Sequence, residues 1–338
     1  MKAVQITAPG QMQVIRVPMP HCGDDEVLIR LSHVGFCGSD LNTYRGGNPM
    51  AKLPVIPGHE VGAVIQAVGN KVPDVLTVGM SVTVNPYTAC GRCASCRNGR
   101  VNACEHNETL GVQRSGVMSE FAVLPWQKII PAEQITPKHA ALIEPMSVGF
   151  HAVNRAKVTD IDVVMVIGCG MIGIGAIVRA SLRGATVIAV DVDDEKLALA
   201  RQIGARYTLN SQTQDVHECL QAFTGGFGPD VVVEAVGSIP TYQMAIEEVG
   251  FTGRVVCIGY AKSEVSLSTK LFVQKELNIY GSRNALPADF RAVIRFLNTH
   301  AFPIDRLITE SVAPEQAAEA MERWAAHPGK VFRILVQF

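Results

Sequence analysis

Cys37-Gly38-Ser39-Asp40 places a thiol, a hydroxyl and a carboxylate within four residues. A thiolate can ligate zinc or act as a nucleophile, and this stretch alone does not choose between them. Gly58-His59-Glu60 and Ile143-Glu144-Pro145 add an imidazole and two carboxylates, each beside a Gly or Pro turn. Sulfur, imidazole and carboxylate together suit a zinc that keeps one position for water or substrate. Taken singly, Cys37 reads as a buried thiol, His59 as a core histidine and Glu144 as a helix-end carboxylate. The zinc reading rests on their combination with the nucleotide fold described below.

A second group is denser. Cys90, Cys93, Cys96 and Cys104 lie within fifteen residues, a spacing that lets a folded-back loop offer four sulfurs to one tetrahedral zinc. Such a site has no open position, so its role is structural: metal binding pins a polar, Gly-containing loop that has little core of its own. A redox pair or an iron–sulfur cluster is the alternative.

A third group is the pattern Gly168-Cys169-Gly170-Met171-Ile172-Gly173. It follows an apolar run, Val163–Ile167, and opens another apolar segment. Asp191 ends the next apolar run about twenty residues on, where a ribose diol is expected. The glycines allow a tight turn and close backbone approach, leaving a helix N-terminus for a pyrophosphate. Asp191 repels a 2′-phosphate and Val192-Asp193-Asp194 offer no cation, so NAD is preferred over NADP. The alternative is a Gly-rich contact between helix and strand with no nucleotide.

The elements that must position these groups change character along the chain. Before about residue 138, short apolar runs (Glu26–Leu31, Val61–Gly69, Met80–Val84) alternate with turn residues and predict a β-rich domain with little helix. From Pro137 onward, apolar strands alternate with amphipathic helices, and Val163–Ile167, Thr186–Val190, Val231–Glu234 and Arg254–Ile258 read as parallel strands. Segments 195–203 and 242–249 between them carry helix-like patterns. Two further helices, about 287–298 and 314–326, precede a terminal strand, Val331–Val336, predicted to return to the first domain. The expected architecture is α/β in two domains, which 338 residues accommodate.

Composition limits the partners. Thirty Lys and Arg against thirty-one Asp and Glu give a net charge of −1, which leaves no footprint for nucleic acid. Arg92, Arg97 and Arg100 cluster, and read as a solvated loop. The apolar run 163–178 is shorter than the ~20 residues a bilayer requires and is broken by glycines, so no transmembrane helix is expected. The start of the chain lacks the apolar core of a signal peptide, and nine cysteines fit a reducing compartment, so the expected location is the cytoplasm.

Gly35-Phe36-Cys37-Gly38-Ser39-Asp40, Pro57-Gly58-His59-Glu60, the Cys90–Cys104 lobe, Ala141-Leu142-Ile143-Glu144-Pro145 and the Gly168–Gly173 loop, in this order, resemble the zinc-containing medium-chain alcohol and polyol dehydrogenases over essentially the whole chain. Ile143-Glu144-Pro145 is similar to the polyol and sugar-acid branch, sorbitol dehydrogenase-like, where a carboxylate replaces the second catalytic cysteine of the simple-alcohol enzymes. Gly281-Ser282-Arg283-Asn284-Ala285 resembles the form seen among hexonate oxidoreductases such as L-galactonate 5-dehydrogenases.

The resemblance implies a GroES-like catalytic domain, residues 1–148 and 285–338, with the structural zinc lobe at about 86–110. It also implies a Rossmann NAD-binding domain, residues 149–284, and an active site in the cleft between the two. Two zinc ions per chain, NAD, a sugar-acid or polyol substrate and a homo-oligomer, dimer or tetramer, follow from it. Cys37 and His59 would hold the catalytic zinc, with Glu60 or Glu144 direct or through water. Ser39 would accept the substrate proton. Many members continue the relay with a histidine three residues further, where this chain has Asn42, which does not titrate near neutrality. Asp40 would orient His59, with a turn-forming role as the alternative. Arg283 would contact cofactor or an anionic substrate group or form a surface salt bridge, and Arg45 is a second candidate for a carboxylate. Competing readings are a dehydrogenase of simple or aromatic alcohols, for which Tyr44, Tyr87 and Trp126 are available, and a nucleotide-binding regulator without turnover.

Overall fold

The computed structural model describes all 338 residues as two compact units, Met1–Glu144 with Leu286–Phe338, and Pro145–Ala285. In the first unit a seven-stranded sheet has the path Glu310–Val312, Ile334–Gln337, Glu26–Gly35, Glu60–Val68, Ser81–Val84, Ile129–Pro131, and Phe121–Pro125 also pairs with Glu26–Gly35. The terminal strand does return: Leu335 pairs with Gly35 in antiparallel register. Alternation along these strands sends Val27, Ile29 and Leu31 inward with Val61, Ala63 and Ile65, and Trp324 of the helix Ala317–Ala326 joins the same core.

Three neighbouring strands start or end at one edge of this sheet. Cys37 follows Glu26–Gly35, His59 precedes Glu60–Val68, and Arg333 precedes Ile334–Gln337. The register places Gly35 opposite both Glu60 and Leu335. Residues remote in sequence are thereby brought together by strand pairing.

One element departs from the expectation of little helix in this half. Cys37-Gly38-Ser39-Asp40 is not a simple tight turn: it opens the helix Gly38–Tyr44, with Cys37 as the cap residue. Asp40 Oδ2 accepts the Cys37 backbone N–H at 2.8 Å, satisfying a donor that precedes the helix. The run beginning at Pro137 is likewise two helices, Pro137–Ala140 and Ile143–Arg155, and Glu144 stands in the first turn of the second.

The second unit is a six-stranded parallel sheet in the order Tyr207–Asn210, Thr186–Asp191, Val163–Ile167, Val231–Glu234, Arg254–Cys257, Asn278–Gly281. Numbered along the chain this is 3-2-1-4-5-6, the doubly wound dinucleotide-binding order, whose switch point lies beside the first strand. Val187–Val190 and Val231–Glu234 are buried without alternation, because helices cover both faces. The helices Ile143–Arg155 and Met171–Leu182 approach so closely that a Cβ on Gly149 would lie 2.3 Å from the Ile172 carbonyl oxygen. No helix is long and apolar enough to cross a membrane.

Candidate active site and metal centres

Ligand atoms of Cys37, His59 and Glu60 lie within 4.8 Å of one another. His59 and Glu60 are buried, and Cys37 is half-buried. His59 Nδ1 and Glu60 Oε1 are buried without a hydrogen-bond partner. Unpaired buried polar atoms are costly, so their convergence with a thiol fits a cation bound among them. The donor set of sulfur, imidazole nitrogen and carboxylate oxygen matches an open catalytic zinc site.

The charges around this group are strongly coupled. Burial alone would lower the His59 pKa, but the Cys37 thiolate, helped by Asp40 and Glu144, raises it well above its ordinary value. Burial pushes the Asp40 carboxyl up to about 6 against the pull of His59. Glu144 is pushed up to about 7, by burial first and by the Glu60 charge, against His59. Several buried acids beside one imidazole describe a site with an excess of negative charge that a divalent cation would balance.

Glu144 lies outside the group of three. Its Oε1 accepts a hydrogen bond from the Tyr87 hydroxyl. Glu60 meets a different neighbour: Arg333 Nε stands 3.0 Å from Glu60 Oε2, close enough for an ion pair, yet the N–H is not aligned for a hydrogen bond. Arg333 is itself fixed, because Nη1 donates to the Phe36 carbonyl at 2.7 Å. Arg333 does not stand out from sequence, and Tyr87 reads there only as an aromatic available to an apolar substrate slot, not as a partner of Glu144. The signal available was position alone: each sits just beyond the end of a strand adjacent to those carrying Cys37 and His59.

The remaining candidates divide. Ser39 Oγ is buried and without a partner, so both its lone pairs and its proton are uncommitted. Asp40 makes no hydrogen bond to His59: Oδ2 is on Cys37 N–H, Oδ1 has no partner, and neither has His59 Nδ1. Its carboxylate therefore fixes the Cys37 backbone and reaches His59 only through its charge. Asn42 Nδ2 donates to the Gly47 carbonyl at 3.0 Å and latches the loop after the helix. Arg45 Nη2 donates to the Ala325 carbonyl.

The four-cysteine group is assembled as the spacing predicts. All four sulfurs lie within 4.8 Å of one another. Cys93 Sγ is 3.5 Å from Cys96 Sγ and 3.8 Å from Cys104 Sγ, against the ~3.8 Å edge of a tetrahedron with Zn–S bonds of about 2.3 Å. No disulfide joins any of the nine cysteines.

In the second unit, Gly168, Gly170, Met171, Ile172, Gly173 and Asp191 meet at the carboxyl end of the first strand. Gly168 adopts φ +94°, a conformation that favours glycine. Gly173 is required by a close approach, since a Cβ there would fall 1.8 Å from the Gly168 carbonyl oxygen. Gly170 caps the helix Met171–Leu182 and a Cβ there would meet nothing within 4 Å, so open space lies before the N–H groups of its first turn. Asp191 is aimed by the backbone: Oδ2 accepts Cys169 N–H at 2.6 Å, and Oδ1 accepts Val192 and Asp193 N–H at 2.7 and 3.0 Å. The open cradle and the anchored carboxylate fit a dinucleotide. Arg283 is half-buried just after the edge strand Asn278–Gly281.

Residues 172–299 match the zinc-binding dehydrogenase family, and residues 23–134 match the alcohol dehydrogenase GroES-like domain. The chain is 34% identical over 325 residues to L-galactonate-5-dehydrogenase of Escherichia coli (strain K12), covering 95% of this chain and 94% of that protein. It is 33% identical over 352 residues to sorbitol dehydrogenase of Bacillus subtilis (strain 168), covering 99% and 97%. A crystal structure of the alcohol dehydrogenase RspB from E. coli CFT073, complexed with NADH, matches with a TM-score of 0.91 at 29% identity, covering 100% of this chain and 99% of that one.

Proposed function

The chain belongs to the zinc-type medium-chain alcohol dehydrogenase family, and from that premise we propose that it oxidises a secondary hydroxyl of a sugar acid, such as a hexonate, or of a polyol, with NAD. The observation that carries this reading is the convergence of Cys37, His59 and Glu60, with Glu144 beside them where the simple-alcohol enzymes have a second cysteine. The similarity to proteins acting on L-galactonate and sorbitol supports the substrate class at the level of polyhydroxy compounds.

Cys37, His59 and Glu60 would hold the catalytic zinc, and Cys90, Cys93, Cys96 and Cys104 the structural one. When bound, zinc supplies a Lewis acid that lowers the pKa of the substrate hydroxyl, and NAD supplies the hydride acceptor. Ser39 Oγ, buried and unpaired, would take the hydroxyl proton while giving its own to water. Asn42 does not extend that path, being committed to Gly47. The first turn of Met171–Leu182 receives the pyrophosphate, and Asp191 accepts the adenosine ribose hydroxyls while repelling a 2′-phosphate. Asn278–Gly281 is an edge strand with Ile279 exposed, and we assign to it the self-association expected of a dimer or tetramer. Nine cysteines with no disulfide among them fit the reducing cytoplasm in which we place the protein.

NAD reduction against a panel of aldonates, hexitols and simple alcohols tests the reading. Activity on an aldonate or hexitol, abolished in Cys37→Ala while bound zinc falls from about two to about one per chain, is the expected result. Undiminished turnover in Cys37→Ala would sink the catalytic metal assignment. Preference for simple or aromatic alcohols would replace the substrate class, and tight NAD binding with no substrate oxidised would favour a regulator.

A further inference from the structure

Tyr87 has none of the roles assigned above, yet it is buried and its hydroxyl donates to Glu144 Oε1. It follows the strand Ser81–Val84, the neighbour of Glu60–Val68 in the sheet. Its place is fixed from several directions. The Tyr87 N–H donates to Asn85 Oδ1 at 3.2 Å, and its carbonyl accepts from Lys128 Nζ. Its ring meets the Phe290 ring edge-on, centroids 6.4 Å apart and planes at 68°. A hydroxyl held this rigidly does not follow a carboxylate that moves away.

We propose that Tyr87 is a positioning residue whose hydroxyl keeps Glu144 out of the metal's ligand set, so that Glu60 is the carboxylate that joins Cys37 and His59. The inference rests on the reading of Cys37, His59 and Glu60 as metal ligands. The two carboxylates differ in what binds them. One oxygen of Glu144 is taken by a donor in a buried setting, where a hydrogen bond to a carboxylate biases its position by about ten- to a hundredfold. Glu60 keeps both oxygens free of hydrogen bonds and lies within 4.8 Å of the Cys37 and His59 ligand atoms, whereas Glu144 lies outside that group. With Glu144 held aside by Tyr87, a zinc held by Cys37, His59 and Glu60 would keep a place for the substrate hydroxyl.

Tyr87→Phe removes the hydroxyl and keeps the ring against Phe290. The test uses the full chain loaded with cobalt in place of zinc, whose visible absorption reports coordination number and geometry. Two metal equivalents should bind to the native chain and to Tyr87→Phe. The difference spectrum between them should show a change in coordination, with metal dissociation slowed about tenfold. Tyr87→Phe with Glu144→Gln should restore the native spectrum, an outcome that a general loosening of the fold does not produce. An unchanged spectrum in Tyr87→Phe, or a change that persists in the double variant, overturns the inference. If the native chain binds only one equivalent, the metal-site reading itself has failed and takes the inference with it; two equivalents with an unchanged spectrum sink the inference alone.

Discussion

At the scale of single residues, the site depends as much on an absent side chain as on those present. Gly35 has no Cβ, and an added one would lie 2.3 Å from Glu60 Oε2 and 3.4 Å from Arg333 Cδ. Gly35→Ala therefore forces the buried carboxylate off its place or shifts the strand, at a cost of about 1–3 kcal/mol typical of overpacking. The expected outcome is a tenfold or greater loss of affinity for the metal held by Cys37, with the four-cysteine metal retained, read by metal analysis after graded chelation. Retention of both metals to the same chelator concentration as in the native chain would contradict it. Sequence made the donors themselves legible, because sulfur, imidazole and carboxylate beside turns form a chemical pattern. It did not make their supports legible. Tyr87 and Arg333 have no local signature, since a tyrosine after a strand and an arginine before one are ordinary until strand pairing sets them beside Glu144 and Glu60. Asp40 shows the converse: its type suggested an orienter of His59, and its position three residues after Cys37 made it a helix cap instead.

At the scale of elements, the parallel sheet was the most legible part. Unbroken apolar runs separated by amphipathic segments have few other solutions, and Val163–Ile167 and Val231–Glu234 fall where the pattern places them. The helix Gly38–Tyr44 was not legible, because seven residues carry too little periodicity and Gly and Asn weaken the local preference. Its first turn is held by the Asp40 carboxylate on the Cys37 N–H, and its end by the Arg45 N–H donating to the Leu41 carbonyl at 3.0 Å. The glycine loop makes a sharper prediction. Gly173→Ala places a methyl 1.8 Å from the Gly168 carbonyl oxygen, so loop and helix must separate. NADH affinity should fall at least tenfold by fluorescence titration, with the melting temperature lowered by a few degrees for the few kcal/mol of strain involved. An unchanged dissociation constant would show that the loop does not hold the pyrophosphate.

At the scale of the whole molecule, the two units differ in how their chain is drawn. All six strands of the parallel sheet come from the continuous segment Pro145–Ala285, whereas the other unit takes its strands from both sides of that segment. Residues 145–285 expressed alone should melt cooperatively and bind NADH. Residues 1–144 alone lack the partner that pairs Leu335 with Gly35, and should show no cooperative melt even with zinc supplied. Circular dichroism of the two fragments decides this, and a cooperative transition in 1–144 would contradict it. The same arrangement gives the catalytic metal site a place in time. A chain emerging from the ribosome offers Cys37 and His59 early and the whole parallel sheet next, while Arg333, which stands against Glu60, and the strand that supports Phe36 emerge long afterwards. The four cysteines lie within fifteen residues and would be able to close on zinc early, whereas Phe36 and Glu60, beside Cys37 and His59, take partners from residues 333–334. Zinc offered to a nascent chain would then be expected in the lobe before the site at Cys37 and His59, which waits for the strand Ile334–Gln337.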